Sequence, residues 1–232
     1  MGNRLSKIYT RTGDDGSTGM ADGSRVSKAD HLFSVMGDID ELNSHIGLVR
    51  AHLAQAQAAS KTNSQSLPER LQPSNSQTGS LQTSGMQQND SQLIGSDFAQ
   101  ALIVIQHLLF NIGGELAMPE YEGVNASHID WLEQQIDAMN TTLPPLKDFI
   151  LPTGSVLVSQ LHVARTVCRR AERQAVLLQQ QQPNAIRSTA VSLINRISDW
   201  LFVAARFCTD LAHVSEVLWD SQVLQKLADR QK

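Results

Sequence analysis

The sequence has few of the residues that mark disulfide-rich, metal-binding or membrane-spanning proteins. Its 232 residues include two cysteines, Cys168 and Cys208, and neither lies in a CxxC pair or at zinc-site spacing. We therefore expect two buried thiols in a reducing compartment. No stretch approaches the roughly 18 consecutive apolar residues of a membrane span. With no signal peptide before the first motif, the sequence predicts a cytoplasmic protein.

Aromatic residues and excess charge are also scarce. Aromatics make up 5% of the chain and the formal net charge is −4, so neither stacking platforms nor a basic field for nucleic acid is expected. The hydrophobic share, 41%, is ordinary for a globular protein. The length fits one sizeable core, and we expect a single domain over 1–232.

Apolar residues recur at helical spacing in five segments, and no segment has the period of a strand. In the first segment, Val35, Ile39 and Leu42 form one apolar stripe. Ser127 is the expected N-cap of the third helix. The tail, 218–232, can continue as a helix but is expected to fray. The sequence therefore predicts an all-α, five-helix bundle with helices at about 31–54, 98–117, 127–140, 155–181 and 186–217.

The segment 55–96 differs from these helices because Gln, Ser, Asn and Thr dominate it. Such a composition buries too little apolar surface to offset the entropy of ordering the chain. We expect a flexible, low-complexity and disordered insertion between two helices.

The first 30 residues are polar and glycine-rich, and they contain TRTGDDGSTG at 10–19. Glycine-rich backbone presents N–H groups to an anion, and Arg11, Arg25 and Lys28 could neutralise a polyphosphate. The Walker pattern and the calcium-loop pattern are both absent. Composition alone leaves two interpretations open, a phosphate-binding loop and a plain surface loop.

Charged residues share faces of the predicted helices. Arg165, Arg169, Glu172 and Arg173 lie on one face, which is either a solvated ion-paired surface or a phosphate site with excess positive charge. Another such face, on the last helix, carries Asn195, Asp199, Phe202 and Arg206 and suggests either an interface or a site. Asp38, Asp40 and Glu41 begin the first helix, where they favour the helix dipole, but Asp40 could also pair with an arginine across the bundle.

Seven ordered segments together resemble the PduO-type family of ATP:cob(I)alamin adenosyltransferases. They cover nearly the whole chain outside the insertion, and lie at 9–19, 23–28, 37–43, 105–110, 149–154, 165–173 and 195–202. The resemblance implies a homotrimer with one ATP site at each subunit interface, where a loop over 1–30 wraps the triphosphate and Mg²⁺. The residues that would bind ATP in this loop are Thr10, Arg11, Thr12, Gly13, Thr18, Gly19 and Lys28. Those that would complete the nucleotide site from the neighbouring subunit are Arg169, Arg170, Glu172, Arg173 and Asn195.

The same resemblance implies roles in catalysis for Asp40, Arg165, Phe149 and Arg169. Asp40 would pair with Arg165 to hold the interface and the site together, and whether Arg165 also contacts ATP stays open. Phe149 matches the aromatic residue that displaces the lower ligand of cobalamin. Cob(I)alamin would attack the 5′ carbon of ATP, and triphosphate would leave.

Two other functions remain possible at this point. One is an ATP-dependent carrier or chaperone that delivers adenosylcobalamin to a B12-dependent enzyme. The other is a structural bundle whose polar faces mediate assembly, although pure assembly needs no phosphate-type loop. The adenosyltransferase interpretation also implies a reductase that supplies cob(I)alamin.

Overall fold

The computed structural model describes residues 9, 11–65, 84–118, 120–212 and 214–229, with the side chains of 60–65, 84–96 and 226–229 excepted. Thr10, a predicted ATP ligand, lies outside the described residues, as does the middle of the predicted insertion, 66–83. None of the helices in the described ranges is long and apolar enough to cross a membrane.

The described residues are mostly helical, which confirms the all-α prediction. A two-stranded antiparallel hairpin comes first, followed by five long helices and a short one at the C-terminal end. The elements are β1 (Ser17–Gly19), β2 (Arg25–Ser27), α1 (His31–Gln65), α2 (Ser84–Ala117), α3 (Ala126–Asn140), α4 (Val156–Gln181), α5 (Ser188–Leu211) and α6 (Gln222–Asp229).

The core lies between α5 and the helices that pack around it. α5 contacts α3 and α4, and α1 contacts α2 and α4. A seam of small buried residues on α4, Ala164, Cys168 and Ala171, lets this helix approach α5 closely. The Cys168 thiol donates to the carbonyl of Ile194 across the seam, at 3.2 Å. Both cysteines are buried free thiols, as predicted, and burial raises the pKa of Cys208 to about 12.

α1 and α4 run antiparallel, and polar contacts fix their register. His31, at the start of α1, contacts the carbonyl of Gln174 at 3.1 Å. Further along α1, His45 contacts Gln160 at 2.8 Å. The start of α1 therefore lies beside the C-terminal half of α4, which fixes where the glycine-rich hairpin sits.

Several helix ends differ from the predicted ones. α1 continues to Gln65 and α2 begins at Ser84, so parts of the predicted insertion are helical. In α1 the extension is rich in alanine and glutamine, which favour helix even without apolar residues to bury. α5 ends at Leu211 rather than near 217, because the following residues pair with a distant loop. The N-cap of α3 is Asn125, whose side chain accepts from the Ser127 amide at 3.0 Å.

Candidate functional site

The glycine-rich segment before α1 is an ordered hairpin that its own side chains hold together. β1 pairs with β2, with Thr18 opposite Val26. Gly16 has a positive φ of 84°, which a residue without Cβ adopts at little cost. A side chain at Gly13 would meet the Ser17 carbonyl at 3.0 Å and the Lys28 ammonium at 3.1 Å. Glycine is therefore needed at Gly13 for close approach of the backbone.

Two of the three cations predicted for phosphate binding hold the hairpin itself. Arg25 donates to the Thr12 carbonyl at 2.5 Å, and its guanidinium also contacts Ser17 and Asp15. Lys28 donates from Nζ to the carbonyl of Gly13 at 2.8 Å. Hydrogen bonds from Ser17, together with the Arg25 charge, keep the pKa of Asp15 below its usual value. The hairpin is thus preorganised, while its glycine backbone and the exposed Arg11 remain at the surface.

Arg165 and Arg169 form a patch of uncompensated positive charge on α4. The Arg165 guanidinium lies 6.0 Å from the Phe202 ring centre, and its Nε is buried without a partner among the described residues. Burial and then the Arg169 charge lower the pKa of Arg165, although an arginine stays protonated at any ordinary pH. The exposed Arg169 side chain makes no hydrogen bond or ion pair with other described residues. Two such cations can bind a polyphosphate without breaking contacts within the chain.

The next arginine, Arg170, is held by contacts within the chain. Its Nε lies 3.0 Å from Asp38 on α1, and its terminal nitrogen also contacts Glu41. These contacts tie α1 to α4, so the two carboxylates predicted to favour the helix dipole serve interhelical ion pairs. The contact of Arg170 with nucleotide stays a prediction.

Three other predicted nucleotide residues lie next to this patch. The Asn195 amide on α5 donates to the Glu172 carboxylate at 2.7 Å. Arg173 is exposed and donates to the carbonyl of Arg169 at 2.9 Å. The structure therefore brings the predicted residues of α4 and α5 together on one face, although their role in binding stays a prediction.

Asp40 and Arg165 do not pair within one chain. Asp40 is exposed on α1 and has no hydrogen-bond or ion-pair partner among the described residues, whereas Arg165 faces α5. Since the resemblance implies a pair across a subunit interface, a single chain neither forms nor contradicts it.

Phe149 lies on the loop between α3 and α4, and its side chain is 80% exposed. The carbonyl of Phe149 accepts from the Trp219 amide at 2.7 Å, and the Leu151 amide donates to the carbonyl of Val217 at 2.8 Å. The loop is thus braced by the residues that follow α5. An exposed aromatic ring on a braced loop can press on a large ligand.

The hairpin, predicted to bind ATP, and Phe149, predicted to contact the corrinoid, lie near opposite ends of the bundle. Met20 of the hairpin lines a cavity with Gln182, just beyond the C-terminal end of α4, whereas Phe149 precedes the N-cap Ser155 at the other end. α4 has 26 residues, which gives a length of about 39 Å at 1.5 Å per residue. One chain therefore cannot bring a nucleotide on its hairpin to a corrinoid at its own Phe149.

The described residues contain no cluster of three His, Cys, Asp or Glu side chains that could hold a metal ion. A magnesium ion that is bound mainly by triphosphate oxygens and water needs few protein ligands. The binding of magnesium with the nucleotide stays a prediction. Away from the predicted residues, an apolar cavity of about 400 Å³ lies between α2, α3 and α5 and includes Trp131 and Trp200.

The sequence did not indicate the residues that brace Phe149. Arg206 was singled out only as part of a polar face, and the structure pairs it with Glu216 at 2.7 Å. The sequence pattern indicates only that 214–219 favours extended backbone, because this segment is rich in β-branched and aromatic residues. It does not indicate which loop the segment pairs with.

Known proteins resemble this chain in sequence and in fold. The family model described as cobalamin adenosyltransferase matches residues 8–208. A cobalamin adenosyltransferase from Cupriavidus metallidurans is 40% identical over 222 residues, covering 96% of this chain and 98% of that protein. A corrinoid adenosyltransferase from Mycobacterium leprae is 35% identical over 225 residues, covering 93% and 96%.

Among solved structures, the fold resembles a PduO-type ATP:corrinoid adenosyltransferase variant from Lactobacillus reuteri, complexed with cobalamin and ATP. The TM-score is 0.69 at 30% identity, and the match covers 93% of this chain and 100% of the other.

Proposed function

This chain belongs to the cobalamin adenosyltransferase family, and on that premise we propose that it transfers the 5′-deoxyadenosyl group of ATP to cob(I)alamin. The observation that carries the proposal is the match over 8–208. It agrees with the structure, in which an ordered glycine hairpin and a face of unpaired arginines are both available to a polyphosphate.

In the reaction, the cobalt(I) centre attacks the 5′ carbon of the ribose as a nucleophile. A cobalt–carbon bond forms, the carbon–oxygen bond to the α-phosphate breaks, and the electron pair leaves with the triphosphate. Cobalt supplies both electrons of the new bond and changes formally from I to III. No external oxidant is needed, because the electrons of the broken carbon–oxygen bond leave with the triphosphate. The chain's own task is to align the two substrates and to stabilise the charge on the leaving group.

The hairpin and the residues of α4 and α5 contribute differently to nucleotide binding. The backbone N–H groups and side chains of Thr10, Arg11, Thr12, Gly13, Thr18, Gly19 and Lys28 hold the triphosphate. Arg169, together with Glu172 and Asn195, completes the nucleotide site from a second subunit. Magnesium bound with the nucleotide would neutralise part of the triphosphate charge.

A homotrimer with inter-subunit sites is part of the proposal. Its physical support is the separation of the hairpin from Phe149 by most of the length of α4. A neighbouring subunit brings the two halves together, and Asp40 is available on α1 to pair with Arg165 of that subunit. The cytoplasmic location, the reductase and the B12-dependent acceptor enzyme rest on the resemblance alone.

Identification of both products tests the proposal. Purified protein with chemically reduced cob(I)alamin and MgATP should give adenosylcobalamin and intact triphosphate in equal amounts, separated by chromatography. Pyrophosphate and phosphate in place of triphosphate, or adenosylcobalamin without ATP consumption, would contradict the reaction.

A carrier role is the second candidate. The exposed Phe149 loop favours it, since a surface loop beside a bound corrinoid could contact an acceptor protein. Retention of adenosylcobalamin until fresh ATP binds would support delivery, whereas immediate release without a partner would support catalysis alone.

A further inference from the structure

A strap follows α5, which we define as residues 214–219. It leaves the helical core, crosses the end of the bundle and pairs with the loop that carries Phe149. Ile150 and Leu218 form an antiparallel bridge, flanked by the hydrogen bonds from Leu151 to Val217 and from Trp219 to Phe149. The strap therefore fixes the backbone from the Phe149 carbonyl to the Leu151 amide.

Arg206 anchors this arrangement from α5. It is 6% exposed, and its Nε donates to Glu216 of the strap at 2.7 Å. Its terminal nitrogen donates to the carbonyl of Pro144, at the start of the Phe149 loop, at 2.8 Å. One buried guanidinium thus joins the strap to the loop and both to α5.

The ion pair between Arg206 and Glu216 is mostly buried, so each charge needs the other as its partner. The Glu216 side chain is 21% exposed, so the pair is largely withdrawn from water. Removing one partner of a buried pair leaves the other charge uncompensated and is strongly unfavourable. The strap is therefore held in one position, rather than resting loosely on the bundle.

We propose that Arg206 and Glu216 are positioning residues that hold Phe149, through the strap, in the geometry needed at the corrinoid. The inference rests on the proposed function, because it assigns to Phe149 a part in corrinoid binding. Neither residue touches the reacting atoms, and the hairpin that would hold the triphosphate lies near the other end of α4. Loss of the anchor should therefore affect the corrinoid much more than ATP.

A double-mutant cycle in turnover tests the proposal. It compares wild type, Glu216→Gln, Phe149→Ala and the double variant, with the exposed Glu120→Gln as the control for the same chemical change. We expect Glu216→Gln to lower kcat/KM for cob(I)alamin by about 10-fold to 100-fold, because a change far from the chemistry can misalign the bound substrate. KM for ATP should change less than about 2-fold. In the Phe149→Ala background, the same change should cost less than about 2-fold.

Equal losses in both backgrounds would overturn the proposal, as would a parallel rise in KM for ATP or full activity of Glu216→Gln.

A second pair of variants tests the proposal if Glu216→Gln folds poorly. Trp219→Ala keeps the amide that donates to Phe149, whereas Trp219→Pro removes it. The proline variant should be about 10-fold less active than the alanine variant, and equal activity would contradict the strap's role.

Hydrogen exchange separates failure of the inference from failure of the proposed function. The Leu151 and Trp219 amides should exchange slowly in wild type and in Glu120→Gln, and markedly faster in Glu216→Gln. Inactive wild type with this exchange pattern would refute the proposed function and leave the strap as a brace. Active wild type with unchanged exchange in Glu216→Gln would refute the anchor alone.

Discussion

Replacing Arg169 by alanine should remove most of the activity and leave the free energy of unfolding almost unchanged. The Arg169 side chain is exposed and makes no hydrogen bond or ion pair with other described residues. Alanine favours the helix at least as well as arginine, so the expected change in stability is within about 0.5 kcal/mol. Loss of one group that stabilises the leaving triphosphate should lower kcat by about 100-fold, equivalent to about 2.7 kcal/mol.

The adjacent Arg170 provides the matched comparison for stability. It contacts Asp38 and Glu41 and is 39% exposed, so solvent screens part of the interaction. Arg170→Ala should therefore lower the free energy of unfolding by about 1–2 kcal/mol. Urea titration and the initial rate of adenosylcobalamin formation, measured on both variants, separate the two effects. If Arg169→Ala unfolds as easily as Arg170→Ala, or retains wild-type activity, the assignment of Arg169 to the site is wrong.

Three further predictions concern stability, pH and assembly. Glu115 is 5% exposed and accepts from the Val124 amide at 2.7 Å and from Arg187 at 2.6 Å, so Glu115→Ala should lower the free energy of unfolding by about 3 kcal/mol. Burial and then the Arg165 charge lower the pKa of His162 below 6.5. Because the unfolded state then binds more protons, stability should fall as pH drops from about 6.5 towards the lowered native pKa, and His162→Gln should flatten this dependence in urea titrations. If Asp40 and Arg165 pair across subunits, Asp40→Arg and Arg165→Asp should each weaken the oligomer and their combination should restore it, as measured by sedimentation.

The stability prediction has a control variant, and each of the three predictions has an outcome that would contradict it. Glu122→Gln alters an exposed partner of the same Arg187, at 3.3 Å, and should change stability by less than about 0.5 kcal/mol. An equal loss in Glu122→Gln and Glu115→Ala would contradict the first prediction. An unchanged slope in His162→Gln contradicts the second, and failure of the double variant to restore assembly contradicts the third.

The sequence predicts the fold well where local patterns decide the structure. The predicted helix at 155–181 agrees with α4, Val156–Gln181, within one residue, and Pro183 follows its end. The sequence does not predict the extended end of α1 because its alanine and glutamine carry no apolar period, although alanine favours helix. The early start of α2 is polar and likewise shows no apolar period. The strap was missed because its pairing with residue 150 depends on contacts distant in sequence, which periodicity does not contain.

In the candidate site, too, local patterns predict some features and contacts distant in sequence decide the others. The motifs indicated the glycine-rich segment as a loop and the polar face of α4, but not that this segment pairs as a hairpin. The contact between Glu172 and Asn195 agrees with their assignment to one site. Composition could not distinguish arginines that are held within the chain, such as Arg25 and Arg170, from those that are available to a ligand. That difference depends on which carboxylates and carbonyls the fold brings within reach.

The most direct measurement follows absorbance during anaerobic incubation of the wild-type protein with cob(I)alamin and MgATP. We expect conversion of the cob(I)alamin spectrum to that of adenosylcobalamin, at a rate that depends on both protein and ATP concentration. An unchanged cob(I)alamin spectrum, with ATP binding confirmed by calorimetry in the same preparation, would contradict the assignment of adenosyl transfer to this protein.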